Sequence, residues 1–213
     1  RPVEIEFAVT LDAQNKSGVF YLLQVRPMVD VKADLAEDLN LIPDEKVVLK
    51  SFNSLGHGIM EDVHDLIYVK TEGYNAGNNP TIAYEIEKLN RKFLDEEKHY
   101  VLVGPGRWGS SDSWLGIPVK WPHISAARVI VEAGLSNYRV DPSQGTHFFQ
   151  NITSLGVGYL TVDTVRGDGR IDESTISGLE IVAEGQFTRL YKAPEGLEAY
   201  IDRSSNEAIV GRK

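Results

Sequence analysis

The sequence contains no cysteine. This removes disulfide staples, thiolate zinc sites, iron–sulfur clusters and a cysteine nucleophile, and it fits a reducing compartment. No apolar run approaches the ~18 residues of a membrane-spanning helix. The opening residues Arg1-Pro2-Val3-Glu4-Ile5-Glu6 have neither the basic start nor the apolar stretch of a secretory leader. Positive charge is also scarce, with 22 Lys and Arg against 31 Asp and Glu and a formal net charge of −9. That balance speaks against a general nucleic-acid binder or a ligand of anionic membranes. A soluble, cytoplasmic protein with neither nucleic acid nor membrane as partner is therefore expected. The 213 residues, 42% hydrophobic and 25% charged, have the composition of a globular chain. An initiating methionine is missing too: the chain opens on Arg1 inside an expected strand, as a piece of a longer polypeptide would.

The pattern along the chain mixes strands with few helices and predicts a mixed α/β (α+β) fold. Val3 to Val9 and Val19 to Val25 are rich in β-formers, with Asn15-Lys16-Ser17-Gly18 as turn chemistry between them, so residues 1–30 read as a β-hairpin. Residues 31–44 are acidic, poor in aromatics and closed by Pro43-Asp44, which marks a linker or peripheral helix and the one plausible domain boundary. Residues 45–213 then form a second domain. Strands are expected at Lys46–Lys50, Val63–Val69, Tyr100–Val103, Val129–Val131 and Gly156–Val162. A helix is expected over Thr81–Leu94, where Ile82, Ile86, Leu89 and Phe93 make one face behind Pro80. Ser143–Ile152 reads as a short helix. Phe187–Lys192, Leu197–Ile201 and Ala208–Val210 read as a small antiparallel meander with Arg203-Ser204-Ser205-Asn206 as its last turn.

Three groups of residues can carry chemistry. On the hairpin, Glu4 and Glu6 share one side of their strand, as do Gln24 and Arg26 of theirs. Two carboxylates beside an amide and a guanidinium suit a hard divalent cation together with a phosphate, and equally suit a solvated polar face. The segments Glu4-Ile5-Glu6-Phe7 and Tyr21-Leu22-Leu23-Gln24-Val25-Arg26-Pro27 resemble the end of the nucleotide-binding domain of phosphoenolpyruvate synthase and pyruvate phosphate dikinase, an ATP-grasp-type domain. The resemblance covers about the first 28 residues. It implies that Glu6 helps hold Mg2+ on ATP and that Gln24 and Arg26 line the nucleotide phosphates, with upstream domains of the same polypeptide completing the pocket. Glu4 receives no role. It implies further that this chain is the C-terminal part of an ATP-dependent phosphotransferase, not catalytic alone. Members of that family also carry a phosphorylatable histidine before a Gly-Ile-Pro run. Here only Gly116-Ile117-Pro118-Val119 echoes that run and no histidine stands before it at a useful distance, so a phosphohistidine relay is not expected in this chain.

The second group is Gly104-Pro105-Gly106-Arg107-Trp108-Gly109-Ser110-Ser111-Asp112, a glycine-rich loop after a strand. Its backbone N–H groups, guanidinium and indole suit a phosphate or nucleotide, while a turn network accounts for the same composition. No P-loop spacing is present. The third group, on the expected helix near Asp141, is a polar stripe of Gln144, His147 and Asn151 at i, i+3 and i+7, where His147 can serve as acid or base or as a hydrogen-bonded structural residue. Arg107, Trp108, Ser110, Asp112, Gln144, His147 and Asn151 together make the candidate ligand site of the second domain. They offer the alternative reading, a non-catalytic module that senses a phosphorylated metabolite or docks a neighbouring domain. His57, His64, His99, His123 and His147 are too scattered for a metal triad, and Arg166-Gly167-Asp168 carries no weight in a chain without secretion signals.

Overall fold

A computed structural model describes residues 3–12, 14, 17–27, 42–138, 141, 143, 152 and 155–213. The chain divides into two compact units, Arg1–Ala33 and Asp34–Lys213. In the first, β1 (Val3–Asp12) pairs antiparallel with β2 (Ser17–Pro27). The register runs Glu4 to Arg26 and Glu6 to Gln24, then shifts so that Phe7 meets Leu22, which leaves Leu23 as the extra residue of a β-bulge. Alternation along a strand sends successive side chains to opposite faces. One face therefore collects Ile5, Phe7, Val9 and Phe20, with the Phe7 and Phe20 rings stacked at 5.0 Å.

The second unit is built on a sheet of ten strands. Its order begins with β11 (Gly169–Ile171), β3 (Val47–Ser51), β14 (Glu207–Arg212) and β13 (Thr188–Asp202). It continues through β5 (Gly58–Val69), β6 (Tyr100–Pro105), β9 (Ala127–Gly134) and β10 (Gly158–Asp163) to β4 (Asn53–Leu55), with β12 (Glu180–Glu184) pairing separately onto β13. Only Phe52 separates β3 from β4, yet β3 pairs with β14 and β4 with β10. One bent stretch of chain thus pairs with β14 near one end of the order and with β10 near the other, and the sheet closes on itself as a barrel with β11 added beside β3. The Ser51 hydroxyl seals the seam by donating to the Thr161 carbonyl at 2.6 Å. Closure matters energetically because it leaves few strand edges unpaired.

Strands β5, β6, β9 and β10 run parallel, so their carboxyl ends share one mouth of the barrel. Parallel strands covered on both faces read as unbroken apolar runs, which is why Tyr100-Val101-Leu102-Val103 and Val129-Ile130-Val131 are so evident. Val101, Val103, Val129, Val131, Leu160 and Val162 pack into the interior with Leu197, Ala199, Ile201 and Val210. The alternate residues Tyr100, Leu102, Ile130 and Tyr159 face outward into a second cluster. Helix α1 (Asn79–Asp95) covers that cluster with Ile82, Ala83, Ile86 and Phe93, and Pro80 occupies its first turn as expected. Two buried asparagines tie it down. Asn90 accepts from the Tyr100 hydroxyl at 2.9 Å and from Ala126 N–H at 2.9 Å and donates to Pro122 O, while Asn79 donates to the carbonyls of Ser113 and Gly116. A one-turn helix, α2 (Trp121–Ile124), follows. Helix α3 (Glu173–Ser177), capped by the Asp172 carboxylate on Thr175 N–H, sends Ile176 into the interior cluster, joined there by Leu179.

Several expectations change. The stretches expected at Phe187–Lys192 and Leu197–Ile201 join in one strand, β13 from Thr188 on, and with β14 it forms the antiparallel wall of the barrel, not a separate small meander. Pro194 has no N–H to give, but it falls where the register against β5 shifts between Lys192 and Leu197, and an irregular ladder tolerates it there. The chain after β6, where a glycine-rich loop is expected, contains a short parallel pair, β7 (Arg107–Trp108) with β8 (Gly116–Ile117). Positions 144–151 of the helix expected at Ser143–Ile152, and most of the linker at 31–44, lie outside the described residues. Among the described residues, no helix is long and apolar enough to cross a membrane.

Candidate functional site

The hairpin register sets position 4 opposite 26 and position 6 opposite 24. Opposed residues of an antiparallel pair lie about 4.5–5.5 Å apart at Cα and project to the same face. Positions 4, 6, 24 and 26 therefore form a two-by-two patch on the face opposite Ile5, Phe7, Val9 and Phe20. Glu6 is half-buried and Gln24 exposed. Their carboxylate and amide oxygens are the hard donors that magnesium accepts. No group of three or more His, Asp or Glu placed to hold a metal occurs among the described residues.

In the second unit the residues of the expected ligand loop make packing and turn contacts. Trp108 is 1% exposed and its indole N–H donates to the Val131 carbonyl at 2.8 Å, so its ring faces are packed in the core and not offered for stacking. Gly104 makes room for that ring: a Cβ there would sit 2.6 Å from Trp108 Cζ2. Gly106 has φ 71° and would place a Cβ 2.6 Å from the Tyr138 ring. Both glycines are thus required by packing and backbone conformation. Arg107 is half-buried and donates through Nε to the Asp141 carbonyl at 2.6 Å. Ser110 donates to the Asp112 carbonyl at 2.7 Å, and the Asp112 carboxylate accepts Trp114 N–H at 2.9 Å, which is side-chain-stabilised turn geometry. Gln144, His147 and Asn151 lie outside the described residues.

The carboxylate at the centre of this region is Glu132, near the end of β9 and 5% exposed. Its Oε1 accepts Trp108 N–H at 3.0 Å and the Ser143 hydroxyl at 2.5 Å, while Oε2 accepts Ser143 N–H at 3.0 Å and the Tyr159 hydroxyl at 2.7 Å. Burial pushes its carboxyl above the ordinary carboxylate value against the pull of those four donors. One side chain thus joins β7, β9, β10 and the segment at Ser143. A cavity of about 40 Å3 lies alongside, lined by Asn53, Gly106, Glu132, Asp163, Arg166 and Asp168. It has room for about one water, far below what a nucleotide needs. Sequence reasoning passed over Glu132, although a lone acid closing the run Val129-Ile130-Val131 is itself a signal, because buried acids are rare unless partnered.

The structure thus brings Glu6 and Gln24 together on the hairpin and places Arg107, Trp108, Ser110 and Asp112 in packing and turn roles. No protein-family model, curated protein or solved structure matches this chain.

Proposed function

We propose that residues 1–30 carry the last hairpin of an ATP-grasp-type nucleotide-binding domain, in a cytoplasmic ATP-dependent phosphotransferase resembling phosphoenolpyruvate synthase. The observation that supports this reading is the register, which sets position 6 opposite 24 and position 4 opposite 26. In this arrangement the Glu6 carboxylate takes one position of the magnesium shell, and Gln24 and Arg26 orient the phosphates. Magnesium supplies charge neutralisation on the nucleotide, and the chain's contribution is placement, which is where phosphoryl transfer gains most of its rate. Upstream domains of the same polypeptide provide the remaining walls of the pocket, so residues 1–213 alone are not expected to turn over ATP.

Glu6→Gln in the polypeptide with its upstream domains keeps the size and shape of the side chain and removes its charge. Magnesium-dependent ATP turnover is expected to fall by about a hundredfold or more, as read in a steady-state hydrolysis or phosphoryl-transfer assay. Turnover equal to that of the parent would overturn the assignment.

A further inference from the structure

A cleft of about 270 Å3 opens beside the carboxyl end of β5, at the same mouth of the barrel where β6, β9 and β10 end. Its floor is Tyr68 and Tyr191, 5% and 4% exposed, with their rings edge-to-face at 6.5 Å inside the interior cluster. Ring faces committed to that cluster leave the phenol groups as what these residues contribute to the cleft. The Tyr68 hydroxyl donates to Glu173 of α3. Ser174 and Ser177 continue the wall on α3, and Thr71 and Glu72 form the opposite wall just past β5.

The charges facing the space are Glu72 and Glu173 against Arg189. The Arg189 guanidinium is already paired, with its Nε 3.0 Å from Glu184, a carboxylate that also pairs with Lys70 at 2.7 Å. An anion would meet two carboxylates and a guanidinium already engaged. A cation would meet Arg189 and would find no open aromatic face to rest on. What remains is a dense set of hydroxyl and carboxylate groups that can accept from, and donate to, the hydroxyls of a neutral molecule. Ligand pockets for drug-sized molecules run from about 300 Å3 upward, so this cleft takes something smaller.

We infer that this cleft binds a small neutral polyhydroxylated molecule of monosaccharide size. Its place supports the inference, because parallel-strand architectures bind ligands where the strands end and the connecting segments diverge. The inference is independent of the hairpin, and either can fail without the other.

Amide NMR titration of the 213-residue chain with glucose, ribose, choline and inorganic phosphate tests it. Saturable shifts at Thr71, Glu72, Ser174 and Ser177 are expected with a neutral sugar. Glu72→Ala should weaken that binding about tenfold. Ser177→Trp should abolish it while the unfolding midpoint is kept, since both side chains are exposed. Tighter binding of choline or phosphate, shifts confined to other residues, no saturable response to either sugar, or parental affinity in both variants would each overturn it.

Discussion

In the hairpin Ile5, Phe7, Val9 and Phe20 are 47%, 53%, 46% and 56% exposed, whereas in β6 and β9 of the barrel Val101, Leu102, Ile130 and Val131 are at most 1% exposed. Both regions use β-forming residues, but two strands offer one layer while a closed sheet offers an interior and a surface that α1 covers. A two-stranded ribbon is marginal in water by itself, because neither face has a second layer to remove it from solvent. The barrel stabilises itself and then spends polar side chains, such as Glu132 and Asn90, on joining its parts. The hairpin instead pairs its two strands in a register that sets position 6 opposite 24 and gathers Ile5, Phe7, Val9 and Phe20 on one face. The general lesson is that exposure of an ordered apolar face belongs to the argument about function, and burial of a polar group to the argument about stability.

The sharpest way to break this contrast is Trp108→Ala. The indole is buried and hydrogen-bonded, so its loss is expected to cost about 3–5 kcal/mol, measured by urea unfolding. A cost below about 1 kcal/mol would mean the site relaxes freely and the ligand-loop reading regains its force. Next is Glu132→Gln, which keeps the shape but replaces acceptor oxygen with an amide group facing donors, at a cost of about 1–3 kcal/mol. The pH dependence carries the sign. Because burial raises the native carboxyl above its unfolded value, the native state binds its proton more tightly. The parent bears no ionisation penalty below the ordinary carboxylate range, and the penalty grows as pH rises from there through the raised native value. The stability gap between parent and Glu132→Gln should therefore narrow over that rise. A gap that widens would place the native value below the ordinary one. The smallest effect is expected for Phe7→Ser, which should change global unfolding by less than about 0.5 kcal/mol and reduce binding of an apolar dye. A cost of several kcal/mol would show that the Phe7 and Phe20 pair is buried in solution.

Much of the secondary structure was legible because local physics writes it directly. Ile82, Ile86, Leu89 and Phe93 recur at helical spacing behind Pro80, and the helix runs over Asn79–Asp95. The hairpin strands were visible from β-formers flanking a turn, although the bulge at Leu23 was not, since a bulge depends on both strands at once. The continuity of β13 was hidden by Pro194, which locally signals a break and becomes tolerable only beside a slipped register with β5. Trp108 read as a surface group because Gly-Arg-Trp-Gly has the composition of a loop. Its burial follows from the space at Gly104 and from Val131, which lies on another strand.

By itself the sequence determined helix α1, the buried strands β6 and β9 and the two hairpin strands, together with the acidic and cysteine-free character of the chain, since each depends on composition or on residues a few positions apart. Tertiary structure alone decided that the sheet closes, that Glu132 gathers Trp108, Ser143 and Tyr159, and that Tyr68 meets Glu173 at a cleft. Those contacts join residues far apart in the chain, as Ser51 and Thr161 do at the seam. They form only when the ordering cost of the intervening chain is met by burial of the whole barrel at once.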